Sequence, residues 1–107
     1  MNIEEIREYC LAKKGASEGF PFGENTLVFK VSGKMFALIS LDEMQVNLKC
    51  NPDLAIELRE QFDSVIPGYH MNKKYWNTIF LDGTIEDKLI REWIDLSYSL
   101  IVKKEKK

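Results

Sequence analysis

The sequence TLVFKVSGKMFALISL, residues 26–41, is the clearest β-hairpin in the chain. Two apolar-rich segments flank a two-residue loop of Ser32 and Gly33, and glycine supplies the positive φ that a tight hairpin turn needs. The turn sets the register, and facing side chains on one side of the hairpin are expected to be core. The predicted facing pairs are Leu27 with Leu38 and Phe29 with Phe36.

The second face of this hairpin is also rich in apolar residues. The predicted register gives it five residues, Val28, Lys30, Met35, Ala37 and Ile39. Solvent alone does not suit so apolar a surface. We therefore expect partial cover from a loop, a helix or a partner.

A third strand and a helix follow the hairpin. Residues 45–49 alternate polar and apolar side chains, which predicts a strand. Asn51 is a good N-cap, and Pro52 suits the first helical position because the N–H that it lacks would be unpaired there. The helix is expected to end near Phe62.

Residues 67–83, PGYHMNKKYWNTIFLDG, hold the only histidine of the chain and one of its two tryptophans. Turn residues at both ends and a Lys-Lys pair inside predict two extended segments, 69–72 and 75–81, joined by a bend. The residues expected to anchor the second segment beneath the last helix are Trp76, Thr78 and Phe80.

Two more helices complete the predicted order. Asn2 and Glu5 resemble a capping box at the start of a helix over about residues 3–14, and Gly15 suits its end. Thr84 is expected to cap a last helix of about 18 residues that lies across the sheet. The main apolar stripe of this helix is predicted at Leu89, Trp93, Leu96 and Leu100, and the residues predicted to widen it are Ile90, Ile94, Ser97 and Ile101.

The element order is helix, three strands, helix, two strands, helix. Short connections favour antiparallel pairing, and helices can cover one apolar face of the sheet. The prediction is an α+β fold of two layers, with a mostly antiparallel five-stranded sheet covered by helices. A length of 107 residues suits one domain spanning 1–107.

The loop at residues 16–25 carries two aromatic side chains. Phe20 and Phe22 flank Pro21 between two glycines. We expect these aromatic rings to anchor the loop to the core. The alternative is an exposed aromatic platform for a ligand.

Composition excludes several classes of protein. The chain has no apolar run near the roughly 18 residues of a membrane span and no signal-peptide pattern, so we expect a cytoplasmic protein. Cys10 and Cys50 lack CxxC spacing and are expected to be reduced and structural. One histidine, two separated cysteines and scattered glycines predict neither a metal site nor a cofactor.

The net charge of −2 argues mildly against nucleic-acid binding, but the lysines are unevenly distributed. Lys73 and Lys74 are adjacent. Four more lysines lie within residues 102–107, for which we predict a frayed, basic helix end that the helix dipole favours.

Short motifs along the chain resemble the MmcQ/YjbR family. The motifs are FKV at 29–31, GKMFA at 33–37, NLK at 47–49, PGYHMNK at 67–73, WNT at 76–78 and SY at 97–98. They occur in the order of the family over almost the whole chain. The resemblance implies an α-β3-α-β2-α fold with the outline of type III secretion chaperones. It also implies DNA binding through two hairpin wings, and it implies no enzyme activity.

The residues predicted to contact DNA lie around the two turns. They are Lys30, Lys34, Lys49, His70, Asn72, Lys73 and Lys74. The lysines would neutralise phosphates, and Asn72 or Asn77 could meet base edges. Tyr75 and Trp76 could stack on unpaired bases, although Trp76 in an alternating strand is more typical of a core. A few phosphate contacts predict weak, salt-sensitive binding.

Other functions remain open at this level. The apolar second face of the hairpin suits a protein-interaction module or chaperone-like adaptor, including a homodimer. His70 could act as an acid or base, but no catalytic motif surrounds it or Ser64, so we predict no catalysis. DNA binding requires that the named lysines share a face.

Overall fold

The computed structural model describes residues 1–68 and 71–105, and these residues form an α+β fold. Its helices are α1 (Ile3–Leu11), α2 (Pro52–Gln61) and α3 (Asp87–Glu105). Its strands are β1 (Ser17–Gly19), β2 (Thr26–Val31), β3 (Lys34–Ser40), β4 (Gln45–Lys49), β5 (Val65–Pro67) and β6 (Trp76–Phe80). No helix in this described part is long and apolar enough to cross a membrane.

The strands form one antiparallel sheet in the order β1-β2-β3-β4-β6-β5. The predicted α+β class is confirmed, but the described sheet has six strands and not five. β1 and β5 were missed because each has only three residues, too few to show a period. β6 pairs with β4 on one side and with β5 on the other. The predicted extended segment at 69–72 is wrong at Met71 and Asn72, which belong to no strand.

The hairpin turn forms as predicted, with positive φ at Ser32 and Gly33. The register beyond it differs, because β3 contains a β-bulge. Lys30 pairs with Met35 whereas Phe29 pairs with Ala37, so Phe36 is the extra residue. The predicted pairs were therefore wrong. Each is displaced by one position, and the observed pairs include Leu27 with Ile39 and Val28 with Leu38.

The bulge changes which face of the sheet each later residue of β3 occupies. Phe36, Ala37 and Ile39 all belong to the core beneath the helices, and none of them is exposed. Leu38, predicted in that core, instead lies on the opposite face with Val28. A shift of one residue exchanges the faces because strand side chains alternate.

The face opposite the helices has its own small cluster, and we call this face the open face. Val28, Leu38 and Trp76 are buried there, and Met35 and Met71 pack against them. A loop residue, Met71, thus supplies part of the expected cover.

The prediction that Trp76, Thr78 and Phe80 lie beneath the last helix is wrong. Trp76 packs on the open face, and Thr78 pairs with Asn47, whose side chain it contacts there. The residues of β6 that face the helices are Asn77, which contacts α2, and Ile79, which joins the core.

The helix starts follow the predicted capping for α1 and α2. Asn2 and Glu5 form the full capping box, and the Asn51 side chain accepts from the Asp53 amide. α1 ends at Leu11 and not near residue 14, since the Lys13 amide donates to the carbonyl of Cys10, one residue closer than in an α-helix.

α3 differs from its predicted limits at both ends. Thr84 does not cap it: the Thr84 amide donates to the Asp82 carboxylate in a separate turn, and the helix begins at Asp87. The helix continues through Glu105, and the frayed, basic end at residues 102–107 stays a prediction. Lys106 and Lys107 lie outside the described residues.

The buried face of α3 lies within the wide apolar face that was predicted, but it is centred on the residues expected to widen the main stripe. Leu96 is exposed, while the buried residues are Ile90, Trp93, Ile94, Ser97 and Ile101. The predicted anchoring of the 16–25 loop is wrong, because Phe20 is 52% exposed and Phe22 is 62% exposed.

Candidate nucleic-acid interface

The antiparallel register brings the two predicted turns to one end of the sheet. β2 and β4 run toward this end, and β3 and β6 start from it. The hairpin turn at Ser32 and Gly33 therefore lies at the same end as Lys49, the last residue of β4. Lys49 is the register partner of Trp76, the first residue of β6.

We call this end of the molecule the basic end. It is defined by five lysines, Lys30, Lys34, Lys49, Lys73 and Lys74. The segment after α1 and the last turns of α3 also reach it. The Tyr98 hydroxyl donates to the Lys14 carbonyl, and Ile101 lines a groove together with Lys34.

That groove, the lysine groove, has a volume of about 450 Å³ and is shallow. Lys30, Lys34 and Lys49 all line it, with Phe22 and Trp76 as its aromatic residues. Trp76 is 7% exposed and belongs to the floor, which confirms the core interpretation of its side chain. Three of the predicted lysines therefore share one surface.

The loop before β6 carries Asn72, Lys73 and Lys74, all of them exposed. Asn72 Oδ1 accepts from the Lys74 amide at 3.0 Å, which closes the turn between them. The Lys74 ammonium lies 5.6 Å from the ring centre of Tyr75, within the range of a cation–π contact. His70, the remaining predicted contact, lies outside the described residues.

Arg59 of α2 holds this loop against the sheet. Its Nε donates to Asn77 Oδ1 at 2.6 Å, and its Nη2 donates to the carbonyl of Trp76 at 3.3 Å and to the carbonyl of Lys73. Asn77 in turn donates to the Ala55 carbonyl at 3.3 Å.

Asn77 is 2% exposed, so the prediction that it could meet base edges is wrong. Its amide group is committed to Arg59 and Ala55 inside the protein. The sequence placed Asn77 correctly beside the second turn but could not show that it faces inward.

The other end of the sheet carries the acidic turns. The Leu81 amide donates to the Met44 carbonyl, and the Phe80 amide donates to the Ser64 carbonyl, so three chain connections meet there. The Met1 amino group contacts Asp87 at 2.5 Å, which adds the starts of α1 and α3. We call this end the acidic end, after Asp42, Glu43, Asp63, Asp82, Glu86 and Asp87. The near-neutral total charge thus conceals a separation of charge.

A polar cluster at the acidic end contains Ser64, Asp82 and Thr84. The Ser64 hydroxyl donates to Asp82 Oδ2, and the Thr84 hydroxyl donates to Asp82 Oδ1, both at 2.6 Å. These hydrogen bonds lower the pKa of Asp82 from 3.8 to about 2, with Ser64 the largest cause. The cluster stabilises the turn that follows β6, and within it the Ser64 hydroxyl contacts Asp82 and Thr84.

The two cysteines are free and buried. Burial raises the pKa of the Cys10 thiol to about 12 and also raises the pKa of Cys50, so neither thiol ionises readily near neutral pH. Within the described part of the chain, no group of three His, Cys, Asp or Glu side chains could hold a metal ion.

Phe22 is a second residue of the site that differs from its favoured prediction, since its 62% exposure fits the alternative of an exposed aromatic platform. It lines the lysine groove and also a second hollow on the open face. The sequence pattern allowed both positions, because two phenylalanines that flank a proline in a glycine-bounded loop can be either exposed or buried. Only the path of the loop distinguishes the two.

The antiparallel sheet is covered by helices on one face and open on the other. This architecture and the family motifs found along the chain are those of a small α+β protein. The chain belongs to the YjbR family, whose model matches residues 11–100.

The alignments with named relatives cover most of this chain and most of each relative. The chain is 38% identical over 104 residues to the uncharacterized protein YjbR of Escherichia coli (strain K12), covering 95% of this chain and 88% of that protein. It is 33% identical over 113 residues to the uncharacterized protein YyaQ of Bacillus subtilis (strain 168), covering 91% and 95%.

Solved structures share the fold. The crystal structure of Deinococcus radiodurans protein DR2400, a DUF419 domain, matches with a TM-score of 0.92 and 38% identity, over 99% of this chain and 82% of that one. A crystal structure from Pseudomonas syringae matches with a TM-score of 0.79 and 28% identity, over 94% and 98%.

Proposed function

We propose that this protein is a non-catalytic DNA-binding protein that contacts the phosphate backbone with its basic end. The hairpin turn presents Lys30 and Lys34, and the loop before β6 presents Lys73 and Lys74. Lys49 lies between them at the end of β4. Together they form the two wings of the interface.

The separation of charge between the two ends is the observation that supports this function. A basic surface facing away from an acidic one orients a polyanion during approach even when the total charge is near zero. Lysines recognise phosphate as point charges and carry no base information themselves. The proposal is therefore weak binding with little sequence preference.

Cytoplasmic location is part of the same proposal. DNA as the ligand and two free, buried cysteines suit a reducing compartment. The non-catalytic character is supported by the partner of Ser64: its hydroxyl donates to Asp82, whose pKa is lowered to about 2, and so weak a base activates a serine poorly.

The protein-interaction alternative loses its first motivation. Of the apolar residues that suggested an uncovered hairpin face, Val28, Ala37 and Ile39 are buried within the chain and Met35 is half-buried. Size-exclusion chromatography with light scattering tests this alternative directly, since a stable dimer would support a protein-interaction module.

The binding test is fluorescence anisotropy with labelled duplex and single-stranded 20-mers at 50 and 200 mM salt. Five phosphate contacts would weaken duplex binding about 500-fold over that range, from a slope of about −0.9 per contact. Absence of binding at the lower salt concentration would overturn the proposal.

Charge reversal locates the interface. Lys34→Glu at the basic end should weaken binding and reduce the salt slope by about 0.9 or more, and the double variant Lys73→Glu/Lys74→Glu should reduce it further. Lys88→Glu, an exposed lysine near the start of α3, changes the net charge as much as Lys34→Glu and is the matched control. Equal losses from Lys34→Glu and Lys88→Glu would contradict a localised interface.

A further inference from the structure

We infer that the open face binds single-stranded DNA, with an unpaired base stacked on Phe22 and the adjoining phosphates on the lysine groove. This inference rests on the DNA-binding function proposed above and adds the strandedness of the ligand. The sheet itself, and not only its turns, then carries the contact.

The position of Phe22 is the first observation. Its side chain is 62% exposed, an unusual state for a large aromatic residue. The Gly23 amide donates to the Phe20 carbonyl at 3.2 Å, so Pro21 and Phe22 are the two central residues of a hydrogen-bonded turn. The ring is thus displayed on an ordered turn, and more than half of the residue is open to solvent.

Two hollows meet at this ring. On one side is the lysine groove, with Lys30, Lys34 and Lys49. On the other side is a hollow of about 260 Å³ that is also lined by Phe22.

The second hollow has the chemistry of a base pocket. Its polar lining comes from Thr26, Ser40 and Asn47, and its apolar lining includes Leu38 and Met71. Hydroxyl and amide groups can donate to or accept from base edges, while the apolar residues suit the faces of a base. Since Asn47 Oδ1 already accepts from Thr78, its amide nitrogen is the group that could donate to a base.

The arrangement suits a length of single strand. Thr26 and Lys30 are four residues apart on β2, which is about 13 Å along a strand. Phosphates would lie near Lys30 and a base near Thr26. The lysines would thus meet the charged groups of the strand, and the polar hollow would meet its base. In a duplex the base faces are stacked on one another, so an exposed ring gains nothing there, whereas each unpaired base offers a face to it.

The decisive probes are two labelled 20-mers, oligo-dT and a strand of the same length with abasic sites throughout. Both carry the same phosphates, but only the first carries bases. The wild-type protein should bind oligo-dT at least about fivefold more tightly than the abasic strand, the lower end of the effect of one stacked base. Equal affinities would overturn the inference.

Substitutions at Phe22 identify the ring as the cause. Phe22→Leu should remove most of the preference for oligo-dT, and Phe22→Tyr should retain it, because tyrosine keeps an aromatic face. Leu96→Ala, an exposed apolar residue on α3, is the control and should leave the preference unchanged. In every Phe22 variant the salt slope should equal that of the wild type, since the lysines are intact.

The outcomes separate the two proposals. Steep salt dependence that is lost in Lys34→Glu, together with no oligo-dT preference, would overturn only the single-strand inference. If neither 20-mer nor a duplex binds at 50 mM salt, the DNA-binding proposal is overturned as well. A preference that persists in Phe22→Leu would show that the base is held elsewhere.

Discussion

At the scale of single residues, Ser97 explains how the sheet tolerates its bulge. It is fully buried, and its hydroxyl donates to the carbonyl of Phe36 at 2.5 Å and accepts from the amide of Lys49 at 2.9 Å. The last paired residues of β3 and β4 here are Ala37 and Leu48, so the hydroxyl bridges two backbone groups just past the end of the ladder. A short polar side chain on α3 thus completes the hydrogen bonding between β3 and β4.

Ser97→Ala should therefore destabilise the fold. Removing the hydroxyl leaves a buried carbonyl and a partly buried amide without this partner, a cost of about 1–3 kcal/mol. Urea unfolding monitored by tryptophan fluorescence measures it. Ser99→Ala, on the same helix and only half-buried, should change the free energy of unfolding by no more than about 0.5 kcal/mol. Similar effects from the two variants would contradict the role assigned to Ser97.

Asp82 couples stability to acid. Its pKa in the folded protein is lowered to about 2 from an ordinary 3.8, chiefly by the hydrogen bond from Ser64. Because the folded pKa is the lower one, its contribution is complete above about pH 3.8 and is lost as the pH falls toward 2.

The expected result is a decline of stability between pH 5 and pH 3 that is smaller in Asp82→Asn than in the wild type, since asparagine does not titrate. Urea midpoints at the two pH values give the comparison. Asp42→Asn, an exposed residue in another turn of the acidic end, should keep the wild-type decline. A decline of unchanged size in Asp82→Asn would refute the coupling.

At the scale of elements, the loop before β6 is held by α2 through one side chain. Arg59 joins Asn77, Trp76 and Lys73, so helix, strand and loop are fixed together. This is how two exposed lysines can occupy a defined position although they lie in a loop. The side chains of the motif WNT at 76–78 alternate between the two faces of the sheet, and Asn77 faces α2.

Arg59→Met should loosen that loop. The change removes the charged partner of a buried asparagine oxygen, which costs about 1–3 kcal/mol, and it frees the carbonyls of Lys73 and Trp76. Hydrogen exchange should become faster at the amides of Tyr75 and Trp76, which both donate to the Asn72 carbonyl.

The control for this variant is Arg91→Met on the exposed side of α3, with exchange in the loop expected to stay at the wild-type rate. If loop exchange were unchanged in Arg59→Met while global stability fell, Arg59 would support the core and not the loop.

At the scale of the whole molecule, antiparallel topology separates the charges. Consecutive turns of an antiparallel sheet alternate between its two ends, and here the five named lysines lie at one end and the six carboxylates of the acidic end at the other, although Asp53 follows Lys49 and Lys88 follows Asp87. A net charge of −2 is therefore a poor guide to the surface that a ligand meets. Lys30, Lys34 and Lys49 line one groove and so share a face, while Lys73 and Lys74 lie in the loop at the same end of the sheet.

The sequence by itself determined the fold class, the hairpin turn at Ser32 and Gly33, and the starts of α1 and α2. Each of these depends on nearby residues, through turn chemistry, capping and periodicity, and so is readable locally. The sequence also indicated five of the lysines and Asn72 as a group around two turns.

The tertiary structure alone decided which side of the sheet is faced by the residues of β3 that follow the bulge. The bulge at Phe36 places Ala37 and Leu38 on the faces opposite to those predicted. The Phe36 carbonyl accepts from the hydroxyl of Ser97, which lies 61 residues away in the sequence. Such a contact leaves no local pattern, because the hydrogen bond forms only after α3 has packed on the sheet. The open groove, the inward Asn77 and the displayed Phe22 depend in the same way on contacts distant in sequence.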